Sequence, residues 1–264
     1  MTITHAPTLR EHWAAGTTTI GSWLSIPSSV SAETVTAAGF HYTCIDLQHG
    51  AVDYQAAVAM TQAIVLSGGH PIARVPWNEP GIIGKVLDAG IEGVIVPMVN
   101  SADEARSVVR FARYLPDGAR SFGPVMAGLR RPKYFEWAAT GIAVIPMIET
   151  VEALTNLDEI LGVRGIDAVY VGPADLSVSL GLKPQNNDGE ALFDDALATI
   201  ISACTKHGIV PGIHTTTQFV AKRLEQGFRM VTVSSDMAAL RAQVAAELAI
   251  AKGAVPVAAS GSMY

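Results

Sequence analysis

The chain has 264 residues, 49% of them apolar and 16% charged, with a net charge of −6, a length and composition suited to one large α/β core. Its 18 lysines and arginines are scattered, with no block longer than Arg130-Arg131, so no basic stripe can neutralise a row of phosphates and nucleic acid is not expected as a partner. No stretch approaches the roughly 20 apolar residues that cross a bilayer, the start lacks a signal-like apolar region, and the two cysteines, Cys44 and Cys204, are far apart; a cytoplasmic protein with reduced thiols and no membrane partner is expected.

In chain order, predicted strands occupy 20–26, 43–47, 71–75, 93–98, 143–148, 168–171, 209–213 and 230–234, all short and apolar on both faces, as buried parallel strands are. Amphipathic segments of helical length lie between them, among them 101–114, 151–161, 191–207 and 236–252. The helical patterns end at Gly39, Gly69, Gly90, Gly141, Gly165, Gly208 and Gly227, where the left-handed conformation that closes a helix costs glycine least. This alternation predicts a (β/α)8 TIM barrel. An open doubly wound sheet is the competing fold, but the turn Ser25 to Val30 lacks the glycine-rich nucleotide fingerprint. Residues 1–253 are expected to form one barrel domain, and 254–264, rich in Ala, Gly and Ser, a flexible tail.

In such barrels the catalytic groups sit at the C-terminal ends of the strands. The second strand ends in Asp46-Leu47-Gln48-His49-Gly50, the third in Arg74, the fifth in Ile148-Glu149-Thr150, and the sixth in Val171-Gly172-Pro173-Ala174-Asp175. Each has a bland reading alone: Glu149 or Asp175 as a helix cap, His49 as a structural histidine, Arg74 as a bridge to a rim carboxylate. Together they form a constellation. Two carboxylates from neighbouring strands suit a hard divalent cation such as Mg²⁺ or Mn²⁺, a guanidinium can fork onto a carboxylate, and a histidine titrates near neutral pH and can move a proton. The turn Gly172-Pro173-Ala174 is positioned to aim backbone N–H groups at a substrate carboxylate. Schiff-base chemistry is not expected, because Lys85, Lys133, Lys183, Lys206, Lys222 and Lys252 all fall on predicted helices or loops. These residues point to a small-molecule 2-oxo acid whose enolate a metal stabilises.

From about Gly21 to Lys252 the chain resembles the HpcH/HpaI aldolase family, through Ile45-Asp46-Leu47-Gln48-His49-Gly50, Ala73-Arg74-Val75-Pro76-Trp77-Asn78, Val96-Pro97-Met98-Val99, Ile148-Glu149-Thr150 and Val171 to Ser177. The resemblance implies a metal-dependent aldolase that joins or cleaves pyruvate or hydroxypyruvate and an aldehyde, with Mg²⁺, Mn²⁺ or Co²⁺ as cofactor. It implies Glu149 and Asp175 as metal ligands, Arg74 as the pyruvate and enolate contact, His49 as base, Asp88 as the partner of that histidine, and Asp46 near the aldehyde. It further implies a homo-hexamer, a dimer of trimers, with the C-terminal helix exchanged between subunits and its apolar residues on 240–250 covered there.

Met147 stands where many members of the family have glutamine, and His214, followed by Thr215, Thr216 and Thr217, where several have an apolar residue. Such a ring of hydrogen-bonding groups is expected to favour a polar, hydroxylated acceptor aldehyde. The segment 119–131 is expected as a long loop, either a plain surface loop or a lid or subunit contact carrying Arg120 toward an anionic substrate end. The alternative activity is a related metal-dependent lyase acting on an acyl-CoA thioester or a phosphoenolpyruvate-type substrate. The loops 214–218 and 234–237 lack the glycine-rich turn that a barrel phosphate site uses.

Overall fold

The computed structural model describes residues 7–253; the expected tail 254–264 lies outside the described residues. A short helix α1 (Leu9–Ala14) precedes β1 (Thr19–Leu24), α2 (Ser29–Thr36), β2 (Tyr42–Asp46), α3 (Tyr54–Leu66), β3 (Pro71–Arg74), α4 (Pro80–Ala89) and β4 (Gly93–Val96). Then come α5 (Ala102–Ala112), α6 (Val125–Arg130), α7 (Tyr134–Gly141), β5 (Ala143–Ile148), α8 (Val151–Thr155), α9 (Leu157–Leu161), β6 (Ala168–Val171) and α10 (Pro173–Ser179). The chain closes with α11 (Ala191–His207), β7 (Val210–His214), α12 (Val220–Gln226), β8 (Met230–Ser235) and α13 (Asp236–Ala251). All neighbouring strands pair in parallel and β8 returns to β1, so the expected barrel is closed.

Successive strand residues face opposite sides of a sheet, and this parity divides the core in two. Leu24, Ile45, Ala73, Val94, Val144, Val169 and Val231 pack outward against the ring of helices. Trp23, Tyr42, Cys44, Ile72, Ile95, Ile145, Met147, Tyr170 and Met230 fill the barrel, with Leu9 of α1 packed against them. The polar groups inside are answered locally: the Tyr170 hydroxyl donates to Thr232 Oγ1 at 2.6 Å, and the Tyr42 hydroxyl bonds the same oxygen at 2.9 Å. Both cysteines are buried, and burial pushes the Cys204 thiol up to about 12, so both behave as small apolar residues.

The strand-preceding glycines do two different jobs. Gly90, Gly208 and Gly227 end α4, α11 and α12 in the left-handed region, as expected. Gly69 and Gly141 do not: the positive φ falls on Gly68 instead, a Cβ on Gly69 would run into Thr36, and one on Gly141 would run into the Trp137 ring. Their requirement is space. The predicted helix 151–161 also breaks at Asn156 into α8 and α9.

Gly21 lets β1 pass over the Tyr42 ring, since a Cβ there would fall inside the ring's own volume. Gly21→Ala therefore forces a fully buried aromatic to move and is expected to destabilise the fold by about 2 kcal/mol. An unchanged thermal midpoint for that variant would show that the interior can yield.

Candidate active site

The side chains at the C-terminal ends of the strands that continue the inward-facing parity are Asp46, Arg74, Glu149 and His214, and they surround the mouth of the barrel. A cavity of about 300 Å³ opens there, lined by Trp23, Ser25, Asp46, His49, Arg74, Met147, Tyr170, Gly172, His214, Ser235 and Met237.

Asp46 and Arg74 are direct partners across β2 and β3. Arg74 Nε donates to Asp46 Oδ1 at 3.0 Å and Nη2 to Oδ2 at 2.6 Å, a forked pair with both side chains buried. Burial alone would raise the Asp46 carboxyl, but the Arg74 fork, helped by Trp23 and the His49 amide, holds it below its ordinary value. Asp46 Oδ1 also accepts from the backbone N–H of Gln48 at 3.0 Å and His49 at 3.2 Å. Asp46 borders the cavity, and its oxygens are engaged in fixing Arg74 and folding the turn that carries His49. His49 itself is exposed, lines the cavity, and makes no side-chain hydrogen bond among the described residues.

Glu149 lies one residue beyond β5, and its helix-cap reading fails, because Thr150 supplies the cap by accepting from Ala153 N at 3.0 Å. Glu149 is buried, with Oε1 accepting from Met98 N at 2.8 Å and Oε2 without any hydrogen-bond partner. Met98 adopts φ 56, a left-handed conformation that costs a non-glycine residue energy, and in it presents that amide to the carboxylate. Gly172 comes so close that a Cβ on it would strike Oε2. Burial pushes Glu149 up to about 7; the Met98 amide opposes this, and the nearby Asp175 charge adds to it.

Asp175 is exposed in the first turn of α10, where Gly172 is the cap and Pro173 the first residue. Gly172 thus reaches the cavity wall, whereas Pro173 and Ala174 are buried behind it. The orphaned inner oxygen of Glu149, the neighbouring Asp175 and the space left by a glycine fit an oxygen-preferring divalent cation. They supply two carboxylates; no group of three or more His, Cys, Asp or Glu side chains able to hold a metal occurs among the described residues.

Two candidates are drawn elsewhere. Asp88, on α4, does not meet His49 within the chain: its carboxylate accepts from Arg120 Nη2 at 2.6 Å. Arg120 is buried, donates to the Tyr134 hydroxyl at 3.2 Å and lies 4.6 Å from the Tyr114 ring centroid, so it points into an aromatic cage and not toward a substrate. A buried guanidinium requires a counterion, and Asp88 serves as one. Of the expected ring after β7, His214 lines the cavity, edge-on to Trp23 at 5.2 Å between centroids, while Thr215, Thr216 and Thr217 do not line it. Burial, reinforced by the Arg74 charge, pushes His214 down to about 4. Trp23, Ser25, Tyr170 and Ser235 had not been expected in the site; the inward parity of β1 and β6 was the signal for the first three, whereas Ser235 reaches the cavity only because the β1–β8 register shifts ahead of it.

Residues 19–242 match the family model described as HpcH/HpaI aldolase/citrate lyase. The chain is 39% identical over 257 residues to an Escherichia coli protein named 4-hydroxy-2-oxo-heptane-1,7-dioate aldolase, an alignment covering 95% of this chain and 96% of that one. It is 38% identical over 236 residues to a Rhizorhabdus wittichii protein named hydroxypyruvate/pyruvate aldolase, covering 89% and 94%. A crystal structure of an HpcH/HpaI aldolase/citrate lyase family protein from Burkholderia cenocepacia superposes with a TM-score of 0.86 at 28% identity, covering 94% of this chain and 100% of that one.

The pKa of Glu149 has a measurable consequence. From its ordinary value of 4.5 up to about 7 the unfolded chain sheds this proton while the native chain keeps it. The metal-free protein therefore loses stability across that window as pH rises, by something on the order of 3 kcal/mol. Glu149→Gln keeps an acceptor for Met98 and should remove this slope in thermal melts of chelated protein from about pH 5 to about pH 8. Parallel pH profiles for the two proteins would show that Glu149 does not carry the shift.

Proposed function

The chain belongs to the HpcH/HpaI aldolase/citrate lyase family, and from that premise we propose how its site works. The enzyme is a carbon–carbon lyase of the aldolase type, acting on pyruvate or hydroxypyruvate and an aldehyde, as its relatives' names indicate. The observation that carries the mechanistic reading is Oε2 of Glu149, buried without a partner near Asp175 and directly against Gly172, which lines the cavity.

In this proposal Glu149 and Asp175 hold the divalent cation on which the family depends, with Mg²⁺, Mn²⁺ and Co²⁺ as the candidates. A cation bound there supplies Lewis-acid stabilisation of the charge that develops on the keto oxygen of the 2-oxo acid. Arg74, held rigid by Asp46, adds a fixed positive charge on the enolate side without having to reorganise during the reaction. His49, on the loop after β2, takes the proton of the carbinol hydroxyl as the carbon–carbon bond breaks and returns it in the addition direction. Gly172 leaves space against Glu149 Oε2, and the turn through Pro173 and Ala174 carries Asp175 near the same carboxylate. Trp23 and Tyr170, stacked with centroids 5.6 Å apart, form an apolar floor that limits water around the reacting carbons.

Assembly belongs to the same proposal. Leu240, Val244, Leu248 and Ile250 leave an exposed apolar face on α13, which supports contact with further copies of the chain in a homo-hexamer that exchanges this helix. No helix among the described residues is long and apolar enough to cross a membrane.

Exhaustive chelation should lower pyruvate release from a 4-hydroxy-2-oxo acid at least about a hundredfold, and added Mg²⁺, Mn²⁺ or Co²⁺ should restore it. Glu149→Gln and Asp175→Asn should resist that rescue. Full activity in the chelated enzyme would reject the metal mechanism. His49→Ala is expected to slow cleavage by about 10²–10⁴-fold; wild-type turnover in that variant would assign the base elsewhere.

A further inference from the structure

The segment joining β4 to α5 contains Met98 at φ 56, a conformation from which a methionine gains nothing of its own. Such a residue persists only where its surroundings over-determine it. On one side, the Met98 amide donates to Glu149 Oε1 at 2.8 Å. On the other, Asn100 is fastened at three points. Its amide donates to Glu104 Oε2 at 2.6 Å, its side-chain oxygen accepts from the Thr150 hydroxyl at 2.5 Å, and its carbonyl accepts from Asn156 Nδ2 at 2.8 Å. Val99, between the two, is fully buried.

These tethers lead back to the carboxylate. Thr150 follows Glu149 directly and caps α8 by accepting from Ala153 N at 3.0 Å, and Asn156 closes the same helix. Asn100 is thus tied twice to the segment that begins at Glu149 and once to the capping box of α5. Relaxation of Met98 to a negative φ must re-orient the peptide groups on either side of it, one of which carries the N–H that Oε1 accepts. With Asn100 held, that relaxation is resisted. Asn100 does not line the cavity, so its influence on the site runs through Met98.

We propose that Asn100 is a positioning residue for the metal centre: it holds Met98 in the strained conformation, which keeps the Met98 amide on Oε1 and leaves Oε2 as the oxygen free for a cation. The inference rests on the reading of Glu149 as a metal ligand and extends it to the residue that orients this ligand. A carboxylate with one oxygen anchored needs little further ordering when the other binds, and partners that orient a ligand in this way contribute strongly to metal affinity.

The test is calorimetric titration of Mn²⁺ into the full, chelator-stripped chain at a single pH, with thermal midpoints measured alongside. The wild type should bind Mn²⁺ in a manner that Glu149→Gln weakens, and Asn100→Ala should weaken it about tenfold. Asn156→Ala cuts one tether and leaves Asn100 in place; it should act in the same direction and carries the test if Asn100→Ala does not fold. The discriminating change is Met98→Gly added to either variant. Glycine takes the left-handed conformation at little cost, so the tether is no longer needed and most of the lost affinity should return. Wild-type affinity in the tether variants, or a loss that Met98→Gly does not repair, overturns the inference while leaving the metal reading intact. Wild-type protein whose Mn²⁺ binding is absent, or indifferent to Glu149→Gln, rejects the metal reading and this inference with it.

Discussion

The forked pair between Asp46 and Arg74 is the interaction around which the mouth of the barrel is organised. Two opposite charges sit almost entirely out of water on adjacent strands, an arrangement that persists only when every remaining polar site on both groups is answered. That demand fixes much else. Asp46 takes the backbone amides that fold the His49 turn, Arg74 lies 5.1 Å from the Trp23 ring centroid, and Trp23 in turn stacks on Tyr170 and abuts His214. The low pKa of His214 follows partly from the same guanidinium. One ion pair thus sets the position of a proposed base, the charge state of a wall histidine and the packing of the cavity floor.

Glu149 presents the opposite electrostatic case. Its Oε2 has no partner, and burial raises its pKa where Arg74 and the Met98 amide only partly compensate. A buried carboxylate oxygen left unsatisfied beside a second acidic group calls for an explanation. The proposed cation would supply one, and the energy stored in the unpaired carboxylate would then return as binding affinity. The strain at Met98 and the missing side chain at Gly172 are local costs of holding that carboxylate in place.

The fold was legible in the sequence because the barrel repeats one rule: a short apolar run after a glycine-terminated helix. The strand ends of β5 and β6 were recovered to the residue, since apolarity stops abruptly at Glu149 and Gly172. The rim residues were legible because a charged residue that ends an inward-facing series has nowhere to point but the mouth. Pairing was harder to read. Asp46 and Arg74 were seen separately, yet only the β2–β3 register makes them partners. Asp88 and Arg120 lie far apart in sequence on a helix and a loop, and no periodicity announces that the loop folds back to cage the arginine between tyrosines. Likewise the threonines after His214 share its polarity, but the chain turns at Thr215, whose amide bonds Thr232 O at 2.9 Å, and carries them away from the cavity.

Helix α13 joins two properties that seem unrelated. Its N-cap Ser235 and first-turn residue Met237 line the cavity, and its body carries the exposed row Leu240, Val244 and Leu248. Because Asp236 is bonded to the loop after β1 through Ser25, Ile26 and Ser31, any displacement of the helix axis must pull on that loop or break those bonds. A helix whose outer face is covered by another copy loses the freedom to make such displacements. In the proposed assembly the same element would link subunit contact to the cavity wall for one physical reason: the wall is only as rigid as the helix that bears it, and a single exposed helix gains rigidity by burying its apolar face.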